Sequence, residues 1–134
     1  MSVTFLNPDG LVKSPAFSQA VTVTGAAKIV YIGAQNAVDG SGNLVGPGDL
    51  AAQTEQVLKN IDACLEAAGA RREHIISLDV YVTAGQDMMA GARVGMSWMA
   101  GVPNPPLNNV MFVSGFWPPE RLVQVDAIAV VPED

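Results

Sequence analysis

The sequence predicts an α+β fold, with two helices laid against one face of a mixed β-sheet in the order β-β-α-β-α-β-β. Three observations predict it. Apolar residues recur at three- and four-residue spacing after Leu50, which is the period of a helix with one buried face. They alternate with polar ones in IISLDVYVT, 75–83, and in LVQVDAIAVV, 122–131, which is the period of a strand. Glycines and prolines punctuate the chain into short elements, with no internal repeat and no linker between blocks of different composition.

VTVTG, 21–25, and KIVYIGAQ, 28–35, are rich in β-branched residues and read as two strands of a hairpin. DGSGNLVGPGD, 39–49, is a loop whose last aspartate can cap the helix that follows by accepting backbone N–H bonds. In that helix Val57, Leu58, Ile61, Cys64, Leu65 and Ala68 make the apolar stripe, and Gly69 stops it. The strand at 75–83 puts Ile76, Leu78, Val80 and Val82 on one face and Ser77, Asp79 and Tyr81 on the other. A second helix spans about 87–99, with Met88, Ala92 and Met99 as its packing stripe and Gly91 and Gly95 weakening it. PNPP, 103–106, ends that helix, and NVMFVSGF, 109–116, reads as a strand. In the last strand Val123, Val125, Ala127 and Ala129 share one face, while Gln124, Asp126 and Ile128 share the other, so polar groups stand among apolar ones away from the helices. Such a face suits an interface that contains a pocket.

At 134 residues, 49% hydrophobic and 15% charged, the chain reads as one domain, 1–134, with a real core. A net charge of −6 with scattered Lys and Arg argues against nucleic acid as a partner, because phosphate-tracking surfaces need a basic stripe. The N-terminus lacks a signal pattern and no apolar run reaches membrane length, so we expect a cytoplasmic protein with no membrane partner. Cys64 and His74 are the only residues of their kinds, which leaves no thiolate cage and no multi-His metal site within one chain. Cys64 reads as core and His74 as exposed loop. Gly42, Gly46 and Gly48 lack the Gly-Lys-Ser/Thr of a phosphate loop and read as turn glycines. Met88, Met89, Met96, Met99 and Trp98 read as packing residues.

SPAFSQAV, 14–21, YIGAQ, 31–35, the helix DLAAQTEQVLKNIDACLEAAGA, 49–70, and LVQVDAIAVVP, 122–132, resemble the Rid proteins, also called the YjgF/YER057c/UK114 family, over nearly the whole chain. The resemblance implies a chorismate-mutase-like subunit, a homotrimer with sheets facing inward, and small-molecule clefts between subunits. It also implies cofactor-independent hydrolysis of enamines and imines such as 2-aminoacrylate. In such deaminases an arginine clamps the substrate carboxylate, a glutamate on the last strand helps to activate water, and a tyrosine in the early loop lines the cleft. Carried over by position, the arginine falls on Asn109, the glutamate on Gln124 and the tyrosine on Phe17. The glycine of the Ser-Gly-Gln stretch falls on Ala34, beside Gly33, and an asparagine of the second helix on Ala92.

The scaffold therefore matches while the charged set does not. An amide at position 109 cannot replace a guanidinium's two charge-assisted bonds, and Gln124 cannot take a proton. Asp126, two residues along the same strand face and roughly 7 Å from Gln124, becomes the candidate base. Asp126 and Gln124, the latter as a cleft donor, are the candidate catalytic residues, and Phe17, Gly33, Ala34, Asn109 and Met111 the candidate binding residues. The rival for Asn108 and Asn109 is local turn bonding at the strand entrance. Two functions fit: a deaminase for an enamine or imine other than 2-aminoacrylate, or a trimeric binder of a small metabolite or partner protein. The older endoribonuclease label fits poorly with the acidity and the lack of a histidine pair.

Overall fold

The computed structural model describes residues 2–133. The chain runs β1 (Ser2–Leu6), β2 (Ala20–Thr24), β3 (Ala27–Gln35), α1 (Leu50–Ala67), a single 3₁₀ turn (Arg72–His74), β4 (Ile75–Thr83), α2 (Met88–Trp98), β5 (Leu107–Val113) and β6 (Val123–Pro132). Four strands form a mixed sheet in the order β3-β6-β4-β5, antiparallel except for the parallel β4–β5 pair. Helices α1 and α2 pack together on one face of it. This is the α+β arrangement that the periodicities predict.

Three details differ from the sequence reading. β2 takes β1 as its antiparallel partner, Ser2 to Leu6 against Thr24 to Ala20, while β3 takes β6. The two therefore do not form the expected hairpin ladder: β2 joins the five-residue β1 in a separate two-stranded sheet, while β3 pairs along the ten-residue β6. β5 covers Leu107–Val113 rather than 109–116, so Asn108 and Asn109 lie inside a strand that pairs with β4 from Ser77 and Leu107 onward. In β4 the pairing with β6 shifts between Ile75 and Ser77, which leaves Ile76 as the extra residue and turns Ile75 into the core, where it is buried.

Helix α1 behaves as its stripe requires. Asp49 caps it by accepting from the amide of Ala52, and Gly69, at φ +72, leaves it in the left-handed conformation that a helix C-terminus favours. Val57, Ile61 and Leu65 are buried against Ile32, Leu78, Val123, Val125, Ala127 and Ala129. Each such side chain contributes roughly 1.5–3 kcal/mol of apolar burial. Cys64 packs at the margin of this core, as expected.

In α2, Asp87 caps the start and Met88 and Trp98 reach the core, but Met89 and Met96 are exposed, 50% and 55%. They are not packing residues, because the helix has only a narrow contact stripe. Gly91 belongs to that stripe: a Cβ there would stand 3.2 Å from Thr54 Oγ1 and 3.5 Å from Leu50 Cγ, so the glycine lets α2 approach α1. The helix ends are locked by Asp62, whose two oxygens accept from Arg72 Nε at 2.9 Å and Arg72 Nη2 at 2.8 Å, and from Trp98 Nε1. Partial burial pulls the Asp62 carboxyl upward. The bonds from Arg72 and Trp98 and the Arg72 charge outweigh this and hold it below its ordinary range.

One buried polar side chain ties three segments together. Gln53 is fully buried, donates from Nε2 to the carbonyls of Gly46 and Glu120, and accepts at Oε1 from the amide of Leu122 at 2.8 Å. No helix of the described chain is long and apolar enough to cross a membrane.

Replacing Gln53 by leucine leaves three backbone groups without partners, the buried amide of Leu122 and the part-buried carbonyls of Gly46 and Glu120, so we expect a loss of about 3 kcal/mol and a melting temperature lower by about 10 °C. A thermal melt that moves by less than about 2 °C would mean that water replaces the amide at no cost.

Candidate functional site

The face of the sheet away from the helices carries the polar groups that the alternation predicts. The strand registers decide which of them meet. Asp126 on β6 lies directly opposite Asp79 on β4, and Asp79 lies beside Asn109 on β5. On the other side of β6, Ile32 pairs with Ala127 and Gln35 with Val125, so Gly33 and Ala34 together face the single residue Asp126. This is a two-against-one bulge, which leaves β3 backbone out of the ladder next to the carboxyl. The result is one lateral row: Gly33 and Ala34, Asp126, Asp79, Asn109.

The neighbouring row, one pleat along, is Gln124, Tyr81 and Met111. Of the seven candidates, six therefore stand in two adjacent rows of one face. Phe17 comes from the segment between β1's partner loop and β2, and is half-buried. Its neighbour Ser18 donates to the carbonyl of Pro105 at 2.5 Å and through its amide to Pro106, which fixes this segment against the approach to β5. Asn108 is exposed on the opposite side of β5 from Asn109.

Asp79 is the residue that sequence reasoning missed. Its alternation with Leu78 and Val80 placed it on this face, but only the register of β4 against β6 brings it opposite Asp126. Asn109 Nδ2 donates to Asp79 Oδ1 at 2.8 Å. One of the two amide N–H groups thus bonds across the strands rather than to its own local backbone, and the other stays available. Burial, followed by the hydrogen-bonding and the like charge of Asp79, pushes the Asp126 carboxyl above its ordinary range. The Tyr81 phenol is pushed up as well, by desolvation and then by the charges of Asp79 and Asp126. Two facing carboxyls disfavour each other's ionisation, and an acid shifted in this direction is suited to accepting and returning a proton.

Little encloses these rows within one chain. Gly33, Ala34, Asn109 and Met111 are exposed, and Tyr31, on the same face, is 75% exposed. The concavities of the chain lie on the helix side, about 670 Å³ and 550 Å³, and Asp62 and Arg72 line both. Arg72 has already committed its guanidinium to Asp62 and to the carbonyl of Trp98, so it offers no clamp there. His74 lies beside the larger concavity's wall residues in the 3₁₀ turn, away from the rows, and its Nδ1 accepts from the amide of Arg71. Among the described residues no group of three or more His, Cys, Asp or Glu is placed to hold a metal ion.

Comparison with known proteins now places the chain. Residues 11–131 match the model of the Endoribonuclease L-PSP family. The protein DfrA of Myxococcus xanthus is 32% identical over 114 residues, covering 85% of this chain and 84% of the relative. A rat protein named 2-iminobutanoate/2-iminopropanoate deaminase is 28% identical over 115 residues, covering 86% and 80%. The crystal structure of YyfB from Yersinia pestis, described as a protein of unknown function of the conserved Rid family, superposes with a TM-score of 0.85 at 30% identity, covering 98% of this chain and all of that one. The chain belongs to the Endoribonuclease L-PSP family, the Rid or YjgF proteins, as its sequence resemblance implies. Its two helices on a mixed sheet are the chorismate-mutase-like fold of that family.

The raised Asp126 has a stability consequence with a definite sign. The folded state holds this proton to higher pH than the unfolded chain, so folding is penalised once pH rises above the folded-state value and relieved as pH falls through it. We expect Asp126→Asn to be more stable than the wild type at pH 7, by about 0.5 kcal/mol on the scale of a cross-strand pair. That advantage should vanish in melts taken toward roughly pH 4, the ordinary carboxylate range. A constant difference across the series would disprove the linkage.

Proposed function

We propose that the protein is a cofactor-independent hydrolase for an enamine or imine other than 2-aminoacrylate, working in clefts between the subunits of a cytoplasmic homotrimer. The observation that carries this reading is the opposed pair Asp79 and Asp126, set between the β3 bulge and Asn109 on the open face. Family membership and the rat relative's name support the class of reaction.

The chemistry asked of the pair is proton bookkeeping. Water adds its oxygen to the C=N carbon while the pair, holding one proton, accepts a second. With the C=N group entering protonated, the pair returns that proton to nitrogen as the C–N bond breaks and passes the hydroxyl proton to the departing ammonia, so ammonium and a carbonyl compound leave with the pair as it began. An acid poised above the ordinary carboxylate range is better matched to this exchange at neutral pH than a normal aspartate. Gln124 and Tyr81, one pleat away, are positioned to hold the water or the ligand by neutral hydrogen bonds. Phe17 supplies apolar wall without a hydroxyl.

Subunit contact completes the site in this reading. Ile29, Tyr31 and Met111, 51%, 75% and 46% exposed, surround the polar rows with apolar surface of the kind that protein interfaces bury. One observation favours a binder instead: Asn109, which stands where the resemblance to the deaminases puts their clamp, is a neutral amide that spends one of its two N–H donors inside the protein on Asp79.

Imines generated in situ by an oxidase, with their disappearance followed against buffer, separate the two. The wild type is expected to accelerate at least one imine, and Asp126→Asn and Asp79→Asn to lose about 10²-fold or more of that acceleration, the usual range for a general acid–base group. Ligand-dependent melting with no turnover on any imine would establish the binder. Sedimentation equilibrium is expected to give three times the 14.0 kDa chain mass; a monomer at micromolar concentration would sink the intersubunit cleft.

A further inference from the structure

The N-terminal ribbon is set apart from the rest of the chain. β1 and β2 pair only with each other, in a two-stranded sheet of their own, and no residue of 2–24 enters the hydrophobic core. A two-stranded ribbon standing alone is marginally stable in water, so what ties it down decides whether it stays in place. Among the described residues, the hydrogen bonds of 2–24 stay within the segment with one exception, Ser18. Its hydroxyl donates to the carbonyl of Pro105 at 2.5 Å and its amide to that of Pro106 at 3.1 Å, and the residue is only 4% exposed.

The strand directions place the ribbon. β6 is antiparallel to both β3 and β4, and β5 is parallel to β4, so β3, β4 and β5 all begin at one end of the sheet. Ser18 is fixed to the residues that precede β5, one edge strand, while Gly25 and Ala26 join the ribbon to β3, the other edge strand. β2 therefore crosses that end from edge to edge. Five residues at about 3.3 Å each span roughly 17 Å and three strand spacings of about 4.8 Å make roughly 14 Å, so the length fits. On the β3 side the link is short, with Gly25 at φ +84 and the Ala26 carbonyl accepting from the amide of Glu133. On the β5 side Phe17 stands beside Ser18 at the foot of the strand, and Asn109 lies three residues beyond Pro106, about 10 Å along it.

We propose that residues 2–24 form a strap that opens about Gly25 while the core stays folded, and that Ser18 is its latch, the positioning residue that holds Phe17 at the edge of the polar rows. Opening the strap breaks the two bonds of Ser18 to the rest of the chain and exposes none of the core cluster. Opening β6 breaks two ladders and the core together, so the two elements belong to different stability classes. The part given to Phe17 rests on the deaminase reading above, whereas the strap and its latch do not. On that reading the closed strap presents the phenyl ring to a bound ligand, and the open strap withdraws it.

Native-state hydrogen exchange on the full-length protein tests the strap, because a ribbon freed from the sheet is too weak to protect its own amides. The paired amides of β1 and β2 are expected to exchange together, at least about a hundredfold faster than those of β6. Ser18→Ala should speed β1 and β2 at least about tenfold further and leave β4 and β6 unchanged. Wild-type ribbon amides as slow as those of β6 overturn the strap, and a Ser18→Ala variant that speeds both sheets alike, or neither, overturns the latch. On an imine that the wild type accelerates, Ser18→Ala and Phe17→Ala should each raise KM at least about threefold with kcat little changed, the pattern of lost ground-state binding. The double variant should show no more than the larger single effect, because the serine acts through the phenylalanine. Additive effects, or a fall in kcat alone, overturn the positioning role. If no imine is accelerated, the deaminase reading falls, and the exchange pattern alone decides the strap and its latch.

Discussion

The structure depends on the buried amide of Gln53. A fully enclosed side chain must satisfy its own polar atoms, and this one does so with three backbone groups from two separate segments, Gly46 ahead of α1 and Glu120 and Leu122 ahead of β6. Glutamine suits the task because it offers donors and an acceptor from one uncharged head, so no ion has to be desolvated. Its consequence lies at Val123, the first residue of β6. With Leu122 held to α1, the parity of the strand is set: Val123, Val125, Ala127 and Ala129 turn to the helices, and Gln124 and Asp126 turn away. A slip of one residue would bury Asp126 among leucines and valines and expose the core face. The site's central carboxyl is thus positioned from the other side of the sheet.

The charges are divided in the same way. On the helix side an acid has found a base: Asp62 takes both forks of Arg72 and the indole of Trp98, and Arg72 also lies over the Trp98 ring, 5.0 Å from its centre. That arrangement holds the ends of α1 and α2 and the 3₁₀ turn together, and it leaves Asp62 more acidic than usual. On the opposite side an acid has been given another acid. Cross-strand like charges work against a sheet, and the sequence supplies neither an arginine to relieve them nor a fully buried setting that would suppress ionisation. The two aspartates therefore respond to their surroundings in opposite directions, Asp62 downward and Asp126 upward, from the same starting chemistry. A chain selected only to fold would have no reason to keep the second arrangement.

Much of this was legible in the sequence because one period dominates each long element. The stripe from Leu50, the alternation of 75–83 and of 122–131, and the aspartates at 49 and 87 gave α1, β4, β6 and both helix starts to within a residue or two. What escaped was whatever depends on pairing between distant segments. Ser2–Leu6 is a five-residue strand whose partner residues, Ala20 to Thr24, lie beyond a long connection rather than across a tight turn. The shift at Ile76 moves one residue between faces without altering the composition of the strand. Asp79 belonged to the right face from its alternation alone, yet its importance lies in standing between Asp126 and Asn109, and that is a property of three strands at once. The resemblance to the Rid proteins pointed to positions 109 and 124 and not to Asp79, whose place between Asp126 and Asn109 follows from the strand registers alone.

An open row of polar groups on a flat sheet is poor at proton transfer, since water competes for every bond and screens every charge. The apolar flanks are what change this. Tyr31 and Ile29 on β3 and Met111 on β5 stand at either side of the aspartate rows and are left largely exposed by the chain's own packing. When such flanks are covered, solvent is excluded from the strip between them, the cost of ionising both aspartates rises, and the Asp126 carboxyl moves further in the direction it already takes. Assembly and chemistry are coupled in this reading through desolvation rather than through a residue lent by a neighbour. A variant that keeps both aspartates but disrupts the apolar flank, Tyr31→Glu for instance, should then lose activity together with oligomer, with each chain still folded, because its core lies wholly on the helix side of the sheet.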